Sequence, residues 1–236
     1  MLRVAIAQVH DEPVAGDDVA PAWMGDAEQR RWMALSPAAR REFVASRALL
    51  RELLRAATGV PRDGWRVSAE AGTAPVASPL RAGLPGAALH VSLSHRLGWV
   101  AAAACDAAVG VDIEHARPAR SDPAERAALM LSSAELPAWH ALAPDERESA
   151  LLTCWTAKEA WFKARPPATA PWDFRQVIAR ACAPAHANVR VWDAAPLQVA
   201  VCCADALALA RAECEGLAAA SARSSFWRVD CATPVA

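Results

Sequence analysis

The chain has 236 residues, and its 25 Lys plus Arg against 26 Asp plus Glu give a formal net charge of −1. That balance argues against a globally basic nucleic-acid-binding protein, and 54% hydrophobic with 22% charged residues excludes an intrinsically disordered chain. The length fits one large domain or two small ones packed together. Among the 25 cations only two are lysines, Lys158 and Lys163, and the others are arginines.

Membrane and secretory signals are not expected in this sequence. A membrane helix needs roughly 18 consecutive apolar residues, and the best candidate, residues 97–108, is interrupted by Asp106. The N-terminus lacks the charged start, apolar middle and cleavage site of a signal peptide. Seven Cys without a Cys-x-x-Cys pair favour reduced, buried thiols in a cytoplasmic protein, and the six His show no zinc spacing with Cys.

The first part of the chain predicts helices followed by strands. Ser36 fits an N-cap, Pro37 fits the first helical position, and Gly59 follows the last apolar residue at helical spacing. These residues predict one long helix. The other predicted elements are a strand at residues 1–7, a helix at 28–35, a strand at 65–68, a loop at 72–86, and two strands, at 89–94 and 99–105, joined by a turn at 95–98.

The second part shows a similar order of helix and strands. A long helix opens at Pro144 and ends at residue 164, and two strands follow it, as two strands follow the helix at 38–57. This faint echo indicates either an internal duplication or a chance similarity of pattern. Strands mixed with helices, without regular βαβ alternation, predict an α+β fold. The other predicted elements are a strand at 109–113, a linker at 118–122, helices at 124–131 and 135–142, a Pro-rich loop at 165–172, strands at 189–192 and 197–203, and a polar tail.

Two carboxylates project from one face of the strand at 109–114, whose sequence is Val-Gly-Val-Asp-Ile-Glu. Side chains two residues apart in a strand share a face, so Asp112 and Glu114 point together. Adjacent carboxylates repel each other unless a cation or proton lies between them, and Mg²⁺ is the usual ion where phosphates are handled. The alternative is a strand that ends in solvent with two exposed acids, because Asp-x-Glu is a common pattern.

Both lysines lie on the helix segment 154–163, Cys-Trp-Thr-Ala-Lys-Glu-Ala-Trp-Phe-Lys. Trp155, Glu159 and Lys163 recur at positions i, i+4 and i+8 and therefore share one stripe. An ordinary surface ion pair between Glu159 and Lys163 is the simplest interpretation. However, a chain that uses Arg at every other cationic position has Lys here, and a compact ammonium can bind a phosphate as a point charge. This choice favours a functional role.

Two further segments carry polar groups suited to an anion. The strand at 89–94 ends in Ser94-His95, which can offer a hydroxyl, an imidazole and backbone N–H groups. Neighbours on a strand point apart, so these residues do not predict a nucleophile–base pair, and the chain has no Gly-x-Ser-x-Gly elbow. A simple strand cap is the alternative. The helix at 40–51 carries several Arg, which is typical of a solvated face or, beside a phosphate site, of a phosphate contact.

Taken in order, these segments resemble the 4′-phosphopantetheinyl transferase superfamily. Its signature is a (V/I)-G-(V/I)-D-(I/V)-E strand followed by W-x-x-K-E-A-x-x-K, and here these motifs stand at residues 109–114 and 155–163. The Ser94-His95 strand end and an R-x-x-L-R helix at 47–51 also match. The resemblance covers about residues 20–205, and the length is similar to that of the longer, Sfp-type members.

The resemblance implies a fold and a function. Sfp-type members are monomers of two similar α/β halves related by pseudo-two-fold symmetry, with the active site in the cleft between them. Here the halves would be residues 1–107 and 108–236. The implied activity is Mg²⁺-dependent transfer of 4′-phosphopantetheine from coenzyme A (CoA) to a serine of an apo carrier protein of the acyl, peptidyl or aryl type. Adenosine 3′,5′-bisphosphate would be released, and no nucleic-acid or membrane partner is implied.

The resemblance also implies roles for the residues at the motif positions. Asp112, Glu114 and Glu159 would hold Mg²⁺ on the pyrophosphate of CoA, and Glu159 would also be the general base for the serine, directly or through water. Lys163 would neutralise phosphate charge or assist the leaving group, with Lys158 as a second cation. The implied CoA contacts are Ser94 and His95 at the strand end, and on the helix Arg47 with Arg41 or its neighbour Arg40.

One departure from the family pattern keeps alternatives open. Members often carry Gly-Lys-Pro before the Ser-His strand, whereas this chain has Gly72-Thr73-Ala74-Pro75 and lacks the lysine. An arginine elsewhere, such as Arg81 or Arg96, would then have to replace it. The main alternative is a non-catalytic relative that binds CoA or a carrier protein without transfer, and another is a different Mg²⁺-dependent phosphotransferase.

Overall fold

The computed structural model describes residues 1–9, 19–68, 70, 72–81, 83, 89–116, 122–165, 173–217 and 222–231. The helices are α1 (Asp26–Met33), α2 (Pro37–Thr58), α3 (Pro123–Met130), α4 (Leu136–His140), α5 (Pro144–Lys163) and α6 (Ala206–Arg211). The strands are β1 (Leu2–Gln8), β2 (Trp65–Val67), β3 (Ala77–Pro79), β4 (His90–Arg96), β5 (Trp99–Cys105), β6 (Val109–His115), β7 (Val177–Ala181), β8 (Val189–Ala194), β9 (Leu197–Cys203), β10 (Cys214–Glu215) and β11 (Arg223–Cys231). This mixture of helices and strands confirms the predicted α+β class.

Two sheets form the centre of the molecule. The first has the strand order β10-β1-β5-β4, and the second has the order β6-β9-β8-β11-β7. Their edge strands β4 and β6 are neighbours. Among the described residues no backbone hydrogen-bond ladder joins them, and serine hydroxyls of β4 connect them instead. Ser92 Oγ accepts a hydrogen bond from the Val111 amide (3.0 Å), and Ser94 Oγ accepts one from the Ile113 amide (3.4 Å). The strand with the two carboxylates therefore lies beside the strand that leads to His95.

Helix α2 begins and ends where the sequence predicts. Ser36 Oγ accepts a hydrogen bond from the Ala39 amide (3.4 Å), which satisfies one of the unpaired N–H groups of the first turn. Gly59 ends the helix with a φ of 76°, a left-handed conformation that glycine adopts at little cost. The apolar side of α2, which includes Leu50, packs on the first sheet.

The alternation of side chains along the strands divides the core into three layers. On β5, Ala103 faces a core shared by the two sheets, together with Val111 of β6. Ala102 faces the other way and packs with Leu50 of α2. In the second sheet, Ala200 of β9 packs with Trp161 of α5. Each long helix therefore covers the outer face of one sheet, and the two inner faces meet.

Several elements near the edges of the sheets differ from those predicted from the sequence. The predicted polar tail is wrong for residues 223–231, which form β11 between β8 and β7; its first residues, Arg-Ser-Ser, hide the strand pattern. The region 72–86 contains β3, which pairs with β2, in addition to loop. Strands β7 and β10 and helix α6 were also not predicted. Most of the predicted linker and of the Pro-rich loop, 117–121 and 166–172, lies outside the described residues.

No helix within the described part of the chain is both long and apolar enough to span a membrane.

Candidate active site

Strand β6 and helix α5 lie against each other, and this contact forms the centre of the site. Gly110 permits the close approach, because a Cβ at this position would collide with the Ala160 carbonyl oxygen and lie 2.5 Å from the Ala164 amide nitrogen. Two strand residues span about 6.6 Å, close to the roughly 6 Å of four helix residues. Alternate side chains of β6 can therefore meet every fourth side chain of α5.

Asp112 lies in the middle of this contact, and only 6% of its side chain is exposed. Its Oδ1 accepts hydrogen bonds from Lys163 Nζ (2.6 Å) and Ser94 Oγ (2.9 Å), and Lys163 Nζ is also 3.1 Å from Ser94 Oγ. Its Oδ2 is buried and has no hydrogen-bond partner among the described residues. A buried carboxylate oxygen without a partner is costly, so Oδ2 marks a position for an external donor or cation.

Glu114 is held by groups from two other elements, and 13% of its side chain is exposed. Trp155 of α5 donates a hydrogen bond from Nε1 to Glu114 Oε1 (3.1 Å). Arg96, the last residue of β4, places its Nε 2.9 Å from Glu114 Oε2. That contact is an ion pair without good hydrogen-bond geometry, since Arg96 Nε remains without a hydrogen-bond partner in the described structure. The predicted common face of Asp112 and Glu114 is thus the face turned toward α5.

Glu159 belongs to the predicted stripe of α5 and lies between Trp155 and Lys163 along the helix. Burial raises the pKa of its carboxyl above the ordinary value for Glu, and the negative charge of Asp112 raises that pKa further. Lys163 offsets part of this effect, and Glu114 adds a smaller increase. The three carboxylates therefore interact electrostatically at one place.

These three carboxylates are the residues that could hold a metal ion. Within the ranges that the structure describes, no group of three His, Cys, Asp or Glu has the arrangement of a metal site. Asp112 and Glu114 instead form ion pairs with Lys163 and Arg96. The donor set nevertheless fits an oxygen-preferring divalent cation. The buried Asp112 Oδ2 supports this fit, since no described protein group donates to it.

The two lysines have different surroundings. Lys163 belongs to the site, as predicted, whereas Lys158 is 0% exposed and faces the α3–α4 region. Lys158 Nζ donates to Glu135 Oε2 (2.7 Å) and to the carbonyl oxygens of Met130 (2.9 Å) and Phe174 (3.1 Å). An ammonium has three N–H donors, so Lys158 has none left for a phosphate. The structure does not bring Lys158 to the site, contrary to the expected cofactor contact.

A cavity of about 370 Å³ lies between α1, α2, the end of β4 and residues 70, 72, 73 and 75. Ser94 lines this cavity and also donates to Asp112, so it connects the two regions. The basic side chains of the lining are Arg31, Arg47 and His95, and the acidic ones are Glu42 and Glu70. Arg47 Nε is buried without a hydrogen-bond partner in the described residues, and burial lowers the pKa of this guanidinium to about 10. The Arg47 guanidinium stays charged at neutral pH, so the part of the cavity beside Arg47 suits an anion.

The other arginines of α2 do not reach the cavity. Arg41 is half-buried and lies outside the lining. Arg40 donates to the Trp32 carbonyl oxygen (3.2 Å) and lies over the Trp32 ring (4.4 Å), so it connects α2 to α1. His95 is 65% exposed and faces the cavity. Of the predicted cationic CoA contacts, the structure brings Arg47 and His95 together and leaves Arg40 and Arg41 apart.

The loop that departs from the family motif lies at the same cavity. Gly72, Thr73 and Pro75 are part of the lining, and Ala74 between them contributes no charge. Neither arginine considered as a replacement lines the cavity, since Arg96 pairs with Glu114 and Arg81 is exposed elsewhere. The additional cation is Arg31 of α1, which the sequence analysis did not single out. No spacing pattern could have identified it, because the way α1 packs on α2 decides where its side chain points.

Comparison with known families agrees with this geometry. The family model of the 4′-phosphopantetheinyl transferase superfamily matches residues 108–223. The matched segment contains both β6 and α5, and so it contains Asp112, Glu114, Glu159 and Lys163. No curated protein matches the chain significantly. Residues 108–223 of this chain are therefore a domain of the 4′-phosphopantetheinyl transferase superfamily, whose members are transferases.

Proposed function

We propose that the protein transfers 4′-phosphopantetheine from CoA to a serine hydroxyl of an apo carrier protein and releases adenosine 3′,5′-bisphosphate. The observation that carries this proposal is the group formed by Asp112, Lys163 and Ser94. Ser94 of this group also lines the cavity that contains Arg47 and His95, and Asp112 and Lys163 both act on the pKa of the Glu159 carboxyl. A pyrophosphate needs charge neutralisation and positioning for in-line displacement, and both kinds of group are present.

Each residue of this group has a chemical role in the proposed transfer. Asp112, Glu114 and Glu159 would hold Mg²⁺, which supplies charge neutralisation on the pyrophosphate when it is bound. Glu159 takes the proton of the carrier serine, a role that suits a carboxyl whose pKa is raised by burial. Lys163 orients Asp112 by donating a hydrogen bond to its Oδ1, and its ammonium would neutralise charge on the leaving phosphate.

The cavity would bind the remainder of CoA. Arg47 and Arg31 provide cations for phosphate groups, and His95 adds a ring N–H at the rim. Ser94 would lie between the nucleotide portion of bound CoA and the Asp112 carboxylate. Their placement supports the CoA contacts expected for Arg47, Ser94 and His95.

We also propose that the chain consists of two related halves, divided near residue 107. In the first sheet β1 pairs with β5 and β5 with β4, and α2 covers the outer face. In the second sheet β6 pairs with β9 and β9 with β8, and α5 covers the outer face. The same order of strand, helix and two strands supports a pseudo-two-fold relation. A monomer and a cytoplasmic location remain predictions.

The test is labelling of apo carrier proteins with fluorescent CoA in the presence and absence of Mg²⁺. We expect Mg²⁺-dependent labelling that Asp112→Asn and Glu159→Gln each reduce by at least about a hundredfold, since these groups act in the reaction itself. Asp145→Asn, an exposed change on the same helix, is the control and should label normally. Full labelling by the two site variants would contradict the assignment.

The altered loop at 72–75 supports one other candidate, a relative that binds CoA or a carrier protein without transfer. The same experiment separates the two, because this candidate binds CoA in a calorimetric titration yet labels no carrier. Comparing rates on fatty-acid, polyketide and nonribosomal-peptide carriers would then identify the substrate class.

A further inference from the structure

Lys158 occupies a motif position that the proposed transfer does not use. It is 0% exposed, and its three hydrogen bonds reach three separate segments. Met130 ends α3, Glu135 precedes α4, and Phe174 lies in the turn before β7. The buried ammonium of Lys158 thus ties α5 by hydrogen bonds to three chain segments that lie around the helix.

The partner of this ammonium is equally constrained. Glu135 Oε2 also accepts hydrogen bonds from the amide and the hydroxyl of Ser132, both at 2.7 Å. Glu135 Oε1 accepts one from the Ala179 amide of β7 (2.8 Å). A buried ion pair adds little net stability, but one with every donor and acceptor satisfied defines a single geometry.

From Phe174 the contacts continue to the carboxylates. The Phe174 ring is stacked on Trp155, with 4.5 Å between ring centroids and 15° between planes. Phe162 packs edge-on against the Phe174 ring, with 5.0 Å between ring centroids. Trp155 Nε1 then donates to Glu114 Oε1 (3.1 Å). Because the stack restricts rotation of the indole, it also fixes the direction of the N–H that Glu114 receives.

We propose that Lys158 is a positioning residue that holds Glu114 in place through Phe174 and Trp155. The inference rests on the proposed function, in which Glu114 is a metal ligand. The proposal also explains why position 158 carries a lysine, although almost all other cationic residues of the protein are arginines. Three oxygens converge on Nζ, which suits the three donors of an ammonium, whereas the five donors and planar fork of a guanidinium do not fit this arrangement.

Metal binding by the protein without CoA tests the proposal, with Mn²⁺ as the probe and electron paramagnetic resonance as the readout. Phe174→Leu removes the stacked ring, and Trp155→Phe keeps a ring but removes the N–H. Each should weaken Mn²⁺ binding about tenfold, the usual effect of losing a group that orients a metal ligand. The double variant should be no weaker than either single one, because both changes break the same path.

Two control variants separate positioning from general stability. Phe174→Tyr keeps the stack and should bind Mn²⁺ like the unchanged protein. Trp139→Phe also removes a buried indole N–H, which donates to the Arg147 carbonyl oxygen. Trp139 lies outside the chain of contacts from Lys158 to Glu114. Trp139→Phe should leave Mn²⁺ affinity unchanged. Lys158→Met should weaken Mn²⁺ binding and lower the melting temperature, and if it fails to fold, the Phe174 and Trp155 variants decide the question.

The outcomes distinguish this inference from the function on which it rests. If Glu114→Gln weakens Mn²⁺ binding but Phe174→Leu and Trp155→Phe do not, positioning through Lys158 is overturned and the transfer remains in place. If Glu114→Gln has no effect, the metal assignment of Glu114 is overturned, and this inference with it. Equal weakening by Trp139→Phe would show a loss of stability only and would also overturn it.

Discussion

Lys163 and Lys158 lie five residues apart on α5, a separation that turns their side chains about 140° away from each other. Lys163 is 31% exposed and bound to Asp112 and Ser94, whereas Lys158 is buried with every donor used. The rarity of lysine in this chain favours a functional role for both residues and does not distinguish them. Only the orientation of α5 on β6 decides which lysine faces the carboxylates.

Replacing Lys163 by arginine tests whether a compact ammonium is required. Lys163→Arg keeps the charge, but a planar guanidinium cannot occupy the same position between Asp112 Oδ1 and Ser94 Oγ. We expect kcat for carrier labelling to fall about tenfold or more, with the melting temperature nearly unchanged. Arg55→Lys is the matched control, since Arg55 forms an exposed ion pair with Glu52 and should have no effect. Equal rates for Lys163→Arg and the unchanged enzyme would refute the requirement.

The raised pKa of Glu159 predicts a pH-dependent cost to stability. When the pKa of a carboxyl is higher in the folded than in the unfolded protein, protonation of that carboxyl stabilises the folded state. This stabilisation is fully present below the ordinary pKa and is lost as the pH rises through the pKa of the folded protein. In metal-free protein, Glu159→Gln should therefore raise the melting temperature at neutral pH by about 2 °C. The gain should vanish as the pH falls below the ordinary Glu pKa. Thermal unfolding in EDTA across this range measures it, and a gain that grows toward acidic pH would contradict the sign.

At the scale of elements, β6 and α5 act as one unit. Gly110 allows contact between their backbones, and the side chains beyond it then meet in pairs, Asp112 with Lys163 and Glu114 with Trp155. The glycine in the strand motif therefore has a packing role that the sequence analysis did not assign to it.

Gly110→Ala should disturb fold and site together. Its Cβ would meet backbone atoms of α5, which cannot rotate away as a flexible side chain could. We expect a loss of about 2–3 kcal/mol in the free energy of unfolding, typical of an overpacked core, and little residual labelling. Urea denaturation measures the first quantity. Gly25→Ala is the control, since a Cβ there meets nothing within 4 Å and its φ of −73° suits any residue; a similar loss in both variants would argue against the close-contact explanation.

At the scale of the whole molecule, the two sheets share one core, although each also has its own helix. Ala103 and Val111 belong to the same buried cluster, and β10 from late in the chain pairs with β1 at its start. The first and second parts of the chain are thus linked by both apolar packing and a strand pair.

This sharing predicts that the protein unfolds as one cooperative unit. Tryptophans report on both sheets, because Trp65 packs with α2 at the first sheet and Trp161 of α5 packs on the second. Urea curves from tryptophan fluorescence and far-ultraviolet circular dichroism should coincide. Two separate transitions would show that the halves are independently stable.

The sequence predicted the long helices and most strands because their caps and periods are local. The bounds of α2 and of β5 agree with the prediction, whereas β4 continues through Arg96, two residues into the turn predicted at 95–98. The motifs also identified Asp112, Glu114, Glu159 and Lys163 as neighbours. Arg31 at the cavity and Glu135 beside Lys158 were missed, since their positions depend on packing between elements far apart in the chain.

The matching periods of β6 and α5 also determine which changes of length the chain can tolerate. One residue inserted within α5 between Trp155 and Lys163 rotates everything beyond it by about 100°, so it separates Lys163 from Asp112 or Trp155 from Glu114. One residue inserted between Gly110 and Glu114 turns the following carboxylates to the opposite face. The short loop at 141–143 before α5 lies outside both motifs and has no such constraint. Insertions should therefore be fatal inside either motif and tolerated in this loop.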